Sequence, residues 1–192
     1  LIARHGAGGK WGRAAEYRQK LVQVLHGEGR FEVALALGKL AREKLSDAYM
    51  AIDAYLAAHR IKEDVLEVMD ALYVLYRETK QGHKAAEILE KMLATPALQG
   101  DPQKAKRVYF ALGEIRRDEV MDLEGAVEAF NAALDADYKF IEAFSALEAM
   151  LGFALLRARR TAWSLPLRQF AITGAVVLVG RLVLIVVAML SL

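Results

Sequence analysis

Residues 37–58, LGKLAREKLSDAYMAIDAYLAA, return 75 positions later as residues 112–133, LGEIRRDEVMDLEGAVEAFNAA, with no gap in the alignment. The identical pairs are Leu37/Leu112, Gly38/Gly113, Arg42/Arg117, Asp47/Asp122, Ala51/Ala126, Ala54/Ala129, Ala57/Ala132 and Ala58/Ala133. A match of this length between two parts of one chain is typical of a repeat protein, in which one structural unit is copied along the sequence.

A third copy of the pattern lies between these two segments. Ala85 corresponds to Ala51 in the copy before it and to Ala126 in the copy after it, and the second interval is the longer of the two. Its seven additional residues fit the Pro- and Gly-containing loop TPALQGDP at 95–102. The period of the repeat is therefore about 34 residues, a length typical of helical repeats.

The periodicity of the apolar residues predicts helices throughout 10–152, because they recur at spacings of three and four and never alternate as in a strand. Pro makes up only 3 of 192 residues, so few positions must interrupt a helix. The break signals separate about eight predicted helices, at 11–26, 31–45, 47–61, 64–80, 83–94, 102–120, 122–135 and 138–152. The predicted fold class is all-α.

A unit of two helices over about 34 residues resembles the tetratricopeptide repeat (TPR). In that family the first helix carries Leu followed by a small residue, as Leu37–Gly38 does here. The second helix carries Ala, a large apolar residue four positions on and a small residue three further, as Ala51, Tyr55 and Ala58 do. The resemblance covers roughly residues 31–135.

Two features depart from the family pattern. The middle copy has Leu89 and Met92 at its last two positions, and the Trp and Pro typical of the family are absent from all three copies. The resemblance nevertheless implies a TPR-like α-α hairpin solenoid at 11–152, with about three repeats plus flanking helices. Helix 11–26 is interpreted as the second half of an incomplete unit, and helix 138–152 as the first helix of a fourth unit or as a cap. The alternative is a helical bundle without repeats.

The resemblance also implies a binding surface, because TPR superhelices usually bind partners on their inner face. First-helix residues one and four places after the small position point to that face, and they are Lys39, Arg42, Glu114 and Arg117. Some members clamp a peptide carboxylate with Asn and Lys or Arg, but the single Asn, Asn131, lies in a second helix. The alternative is that these charges are only solvated.

No arrangement of residues suggests catalysis, a cofactor or a metal. Cys is absent, which excludes disulfides and thiolate metal sites. His59 and His83 each have a Glu four residues on, but two ligands are fewer than the three or four of a zinc site. GAGGK at 6–10 lacks the Ser/Thr and the spacing of a phosphate-binding loop, so we expect a flexible leader at 1–10 and no enzyme.

The end of the chain predicts a transmembrane helix at 165–192. Phe170–Leu192 carries a single charge, Arg181. Its 23 residues form about 35 Å of helix, which exceeds a hydrocarbon core of about 30 Å. A basic linker at 153–164 precedes it, and the predicted interface residues are Arg157, Arg159, Arg160, Trp163 and Arg168. The positive-inside rule places the repeats on the cytoplasmic side, and the arginines attract anionic lipid. The alternative is that 170–192 is a buried core segment.

Small and polar residues of the predicted span share one stripe of about 120° on a helical wheel. They are Thr173, Gly174, Gly180, Arg181, Ala188 and Ser191. Small residues let another helix approach closely, and an arginine within a membrane faces protein or water. We therefore expect the stripe to contact a partner subunit; the alternative is a lone anchor in which Arg181 extends toward the interface.

Charge is divided unevenly along the chain. Residues 1–152 carry 21 Lys and Arg against all 24 acidic residues, whereas residues 153–192 carry five Arg and no acid. A nucleic-acid partner is not expected, since the repeats show no basic excess. The sequence favours a membrane-anchored scaffold or accessory subunit that mediates protein–protein interactions within a larger membrane complex. The alternatives are a peripheral adaptor that recruits soluble partners to the membrane and a non-catalytic fragment of a longer enzyme.

Overall fold

A computed structural model describes residues 2–160 of the chain, and the side chains of residues 9–154 within them. Over this range the chain is all-α and contains no strand. Its helices are α1 (Ile2–Val24), α2 (Gly27–Leu40), α3 (Ala48–His59), α4 (Leu66–Glu78), α5 (Gly82–Leu93), α6 (Pro96–Gln99), α7 (Pro102–Ile115), α8 (Leu123–Ala136) and α9 (Ile141–Arg160). Two π-helical segments, Ala41–Leu45 and Arg116–Val120, continue α2 and α7.

The helices form three hairpins stacked side by side. α2 packs on α3, α4 on α5 and α7 on α8, and each second helix also packs on the first helix of the following hairpin. α1 packs on α2 as a second helix would, and α9 packs on α8 as a first helix would. The described part of the chain is a TPR-like solenoid, as predicted, and not a bundle without repeats.

In the first and third hairpins a glycine of the first helix lies against an aromatic ring of the second. A Cβ atom on Gly38 would lie 2.8 Å from Cζ of Tyr55, and one on Gly113 would lie 2.6 Å from Cδ1 of Phe130. Carbon atoms in contact normally lie about 3.5–4.0 Å apart, so only glycine fits beside either ring. The Leu–Gly and Ala–aromatic elements of the repeat therefore meet at one seam.

The second hairpin fills the same place with two leucines. The internal alignment puts Leu72 at the glycine position and Leu89 at the aromatic position, and both side chains are buried. A larger residue on the first helix thus accompanies a smaller one on the second. The departure of the middle copy from the family pattern at one position is therefore partly offset by the departure at the other.

Each hairpin turns at a residue with a left-handed backbone. Ser46, Lys80 and Met121 have φ values of 54°, 59° and 63°, and they occupy matching positions in the three repeats. A non-glycine residue in this conformation costs about 1–2 kcal/mol. The residue after it donates its backbone N–H to a carbonyl of the preceding helical turn, as Asp47 does to Ala41 and Asp122 to Arg116, so the left-handed residue belongs to a helix C-cap.

A capping aspartate follows the turn in two of the hairpins. The backbone N–H of Met50 donates to Oδ1 of Asp47, and that of Gly125 donates to Oδ1 of Asp122, both at 2.9 Å. Each bond satisfies one of the N–H groups that the start of a helix leaves unpaired. Gln81 stands at the matching position of α5, where its side chain makes no capping bond.

Three boundaries differ from the prediction. Residues 2–10, expected to form a flexible leader, belong to α1. The glycines in this segment lower its helix propensity, but it contains no proline that would end the helix. α9 continues through Arg157, Arg159 and Arg160, so the first part of the predicted linker at 153–164 is helical. The loop at 95–102 contains α6, which begins at Pro96, a residue favoured at the start of a helix.

The predicted transmembrane helix at 165–192 lies outside the described residues. So do Trp163, Arg168 and the predicted stripe of Thr173, Gly174, Gly180, Arg181, Ala188 and Ser191. None of the helices between residues 2 and 160 combines the length and the apolar character needed to cross a bilayer.

Candidate partner-binding surface

Ion pairs link the first helices of the hairpins along one face, which we call the first-helix face. Nζ of Lys39 lies 2.7 Å from Oε1 of Glu67, and Nη2 of Arg42 lies 3.8 Å from Oε1 of Glu78. Two of the predicted site residues thus face the carboxylates of α4. The hydrogen bond and the charge of Glu67 raise the pKa of Lys39, which keeps its ammonium group charged.

A second set of contacts joins α4 to the end of α7. Nε of Arg77 lies 3.8 Å from Oε1 of Glu119, and Nη1 of Arg77 donates to the Tyr73 hydroxyl at 3.2 Å. The guanidinium carbon of Arg77 also lies 5.8 Å from the centroid of the Tyr73 ring, within cation–π range. Arg77 therefore links the second hairpin to the third on this face.

The other two predicted residues, Glu114 and Arg117, lie near this arginine. Arg117 donates from Nε and Nη2 to the two oxygens of Asp118, each at 2.7 Å, which lowers the pKa of that carboxyl. The hydrogen bond with Tyr73 chiefly raises the pKa of Arg77, and the one with Asp118 chiefly raises that of Arg117; the negative charge of Glu114 adds to both. The predicted residues therefore form two groups, Lys39 and Arg42 on one side of α4 and Glu114 and Arg117 on the other.

A shallow depression of about 300 Å³ lies on this face between α4 and the π-helical segment after α7. Its lining residues are Tyr73, Val74, Arg77, Glu78, Lys80 and Glu119. Cations, carboxylates, a phenol ring and an aliphatic group thus border one open space. Such a mixed surface suits a segment of polypeptide, which offers charges of both signs, backbone groups and apolar side chains.

The central residues of this surface were not predicted, although a signal for one of them existed. Tyr73 follows Lys39 by one repeat length, and Arg77 follows Glu43 by the same interval. Carrying the binding positions into the middle copy would have found Tyr73 but not Arg77, because Glu43 is not one of those positions. The same shift takes Arg42 to Tyr76, which is buried, so the alignment places only part of the face correctly.

The described residues hold no assembly of ligands for a metal. No three His, Asp or Glu side chains in this part of the chain lie where they could bind one ion. The acidic groups with altered pKa values, Glu87, Asp101, Asp118 and Asp137, are lowered chiefly by hydrogen bonds with a neighbouring Lys or Arg. These shifts therefore report ion pairing at the surface.

Comparisons with known proteins bear on the fold. No family model matches the sequence, and no curated protein matches it. The structure is similar to a crystal structure of MamA, a TPR-like protein, with a TM-score of 0.51 and 18% identity over 86% of this chain and 85% of that chain. At this identity the similarity concerns the fold alone, and it agrees with the TPR-like solenoid described above.

Proposed function

We propose that this chain is a membrane-anchored scaffold subunit that holds a protein partner on its first-helix face. The observation that carries the proposal is the row of ion pairs that crosses α2, α4 and α7 and borders the depression beside Arg77. The proposed role is binding rather than catalysis, since this face offers paired surface charges to a partner.

The exposure of the ion pairs supports exchange with a partner. The side chains of Lys39 and Glu67 are 48% and 60% exposed, and pairs of this kind stabilise a fold by about 0–1 kcal/mol. A partner that supplies its own charges replaces them at little cost. The proposed partner therefore presents acidic and basic side chains together, with an apolar group that packs against Tyr73 and Val74.

The membrane part of the proposal rests on the sequence of residues 165–192. Their apolar character favours insertion, with the arginines of 157–168 at a lipid surface and the repeats on the cytoplasmic side. The stripe around Arg181 is proposed to meet another subunit. The scaffold would then bind one partner on its repeats and another within the membrane.

Copurification in mild detergent tests the binding face. We expect Arg77→Glu combined with Tyr73→Ala to abolish recovery of the proteins that accompany the wild-type chain. Lys91→Glu on α5 is the matched control, because Lys91 is also an exposed, ion-paired cation, 51% exposed against 50% for Arg77. Equal recovery of the same proteins by all three chains would contradict the proposed face.

A second experiment tests the membrane contact and separates the scaffold subunit from a peripheral adaptor. A subunit comigrates with a large complex after extraction in mild detergent, whereas an adaptor is extracted alone. We expect Arg181→Leu to release the chain from the complex while it stays in the membrane fraction. Undiminished comigration of this variant would count against a partner at Arg181.

A further inference from the structure

The three hairpin turns lie together on one edge of the stack, which we call the turn edge. The first helices run in the same direction, so the turns at Ser46, Lys80 and Met121 follow one another along this edge. The opposite edge, which we call the connection edge, carries the segments that join one hairpin to the next helix, such as 137–140 between α8 and α9. The two edges are about 20 Å apart, because α8 has 14 residues and each adds about 1.5 Å.

α9 runs from the connection edge to the turn edge and continues beyond it. The offset of 75 residues that aligns the first hairpin with the third also pairs Leu66, where α4 begins, with Ile141, where α9 begins. Lys80, the left-handed residue of the second turn, then corresponds to Leu155. Because α9 continues to Arg160, about 7 Å of this helix extends past the level of the turns.

Burial supports this register of α9. The described side chains that α9 buries are at the positions that α4 also buries, when the same offset is applied. The buried residues of α9 are Ala143, Ala146 and Leu147, and they correspond to Val68, Ala71 and Leu72 of α4. α9 therefore stands in the stack as α4 does, with its C-terminal residues at the turn edge.

The third turn, which lies nearest to α9 in the stack, exposes apolar side chains. Met121 is 73% exposed and Leu123 is 48% exposed. Met121 holds the position that Ser46 and Lys80 hold in the other two turns, so an apolar residue stands there in the turn beside α9 alone. Farther along the same edge Tyr49 is also exposed, and its amphipathic ring suits the border between lipid and water.

The acids of the third turn are compensated within the chain. Asp122 caps α8, and Glu124 lies in the first turn of that helix, where its dipole favours an acid. Asp118 and Glu119 each face an arginine, at 2.7 and 3.8 Å. These acids therefore oppose an anionic surface only weakly, whereas the three arginines at the end of α9 attract one.

We propose that the turn edge rests on the lipid surface, with Met121 and Leu123 in the headgroup region. This inference rests on the membrane anchor proposed above. Residues 161–164 alone separate α9 from the predicted span, and they can bridge at most about 14 Å. The third turn is thereby kept close to the bilayer. The first-helix face then stands upright on the membrane and stays open to a partner.

A fluorescent label at single positions of the full chain tests the proposal. The chain has no Cys, so Met121→Cys and Tyr138→Cys each give one labelling site. Tyr138 is the matched control, because it is 55% exposed and follows α8 at the connection edge. Each labelled chain is reconstituted in vesicles of phosphatidylcholine and phosphatidylglycerol, a part of which carries a nitroxide quencher at the headgroup.

We expect the label at 121 to lose at least about half of its fluorescence, because side chains at an interface lie about 5–10 Å into the headgroup region. The label at 138, about 20 Å farther along α8, should lose almost none. Leu123→Cys gives a second probe of the same turn if the change at 121 disturbs it, and circular dichroism establishes that each variant keeps its helix content.

The outcomes separate this proposal from the anchor on which it rests. Equal quenching at the two ends of α8, or no quenching at 121 and 123 in a chain that floats with the vesicles, overturns the contact of the turn edge and leaves the anchor in place. A wild-type chain that does not float with the vesicles overturns the anchor, and this proposal with it.

Discussion

The first and third hairpins fill their seams with a glycine and an aromatic ring, whereas the second fills its seam with two leucines. Gly38 faces Tyr55 and Gly113 faces Phe130, while Leu72 and Leu89 hold the corresponding places. All three hairpins nevertheless pack in one stack. The repeat therefore accepts more than one way of filling the seam between its two helices.

The second hairpin also differs at its turn. All three turns contain a left-handed residue, but only the first and third are followed by an aspartate that caps the next helix. The capping bond is therefore an addition to a turn that forms without it. The predictions below change the seam, the cap and a titrating group in one hairpin and use its counterpart as the reference.

Removing the aromatic ring from a glycine-containing seam should have the largest effect. Phe130 is fully buried and its ring lies 5.5 Å from that of Phe110. We expect Phe130→Ala to lower the free energy of unfolding by about 3–5 kcal/mol, because Gly113 offers no side chain to fill the space. Leu123→Ala on the same helix removes an exposed side chain and should change it by under about 0.5 kcal/mol. Urea unfolding followed by circular dichroism measures both.

Replacing both Gly38 and Tyr55 with leucine tests whether the two positions of the seam share one space. Gly38→Leu alone forces a side chain into the Tyr55 ring and should cost about 1–3 kcal/mol or more. Adding Tyr55→Leu should recover part of that loss, although Tyr55→Leu alone is destabilising. A double-mutant cycle gives the coupling energy between the two sites. Strictly additive effects would show that the two positions do not share one space.

Removing the cap of the third hairpin and adding one to the second should change the free energy of unfolding in opposite directions. Each change should be smaller than those at the seams. Asp122→Ala removes the bond to the N–H of Gly125 and should destabilise by about 1 kcal/mol. Gln81→Asp introduces an acceptor at a cap position that lacks one and should stabilise by up to about 1 kcal/mol. Thermal unfolding of the two variants checks the signs. Destabilisation by Gln81→Asp would show that the turn at Lys80 cannot accommodate the cap.

The smallest expected effect is a pH dependence confined to the first hairpin. Burial lowers the pKa of His59, whose Nδ1 is buried without a hydrogen-bond partner, and its counterpart in the third hairpin is Leu134. The pKa of this imidazole is lower in the folded protein than the value of about 6.5 in the unfolded chain. Stability is therefore complete above about pH 6.5 and is lost as the pH falls through the pKa of the folded state. We expect stability to decline modestly as the pH falls below about 6.5, the unfolded value, and less so in His59→Leu. Identical profiles for the two chains would exclude His59 as the cause.

The hairpins and their order could be predicted because the signal repeats. The alignment of the first hairpin with the third paired Leu37–Gly38 with Leu112–Gly113 and placed the partner aromatic of each glycine at the same distance along the chain. A seam between helices depends on the size of a few buried residues, and residue size can be read directly from sequence. The two flanking helices followed from the same periodicity.

The contacts between hairpins could not be predicted in the same way. Arg116 donates to Oε1 of Glu90 at 2.6 Å and to the carbonyl of Gly125 at 3.1 Å, yet the matching residue of the first hairpin is Ala41. Long polar side chains choose among several partners within reach, and their choice depends on the relative placement of helices. The left-handed residues gave no signal either, because glycine, the usual residue in that conformation, occupies none of the three positions.

Each helix packs chiefly on the helices before and after it, so the stack can act as an elastic element. A pulling force between α1 and α9 loads the interfaces in series, so each bears the whole tension and the extensions add. Apart from the short α6, the two end helices of the described stack bury the fewest of the described side chains, Ala15 and Val22 in α1 and Ala143, Ala146 and Leu147 in α9, so their interfaces yield first. Tension would therefore peel the described solenoid from its ends, one helix at a time, while the hairpins between them stay folded.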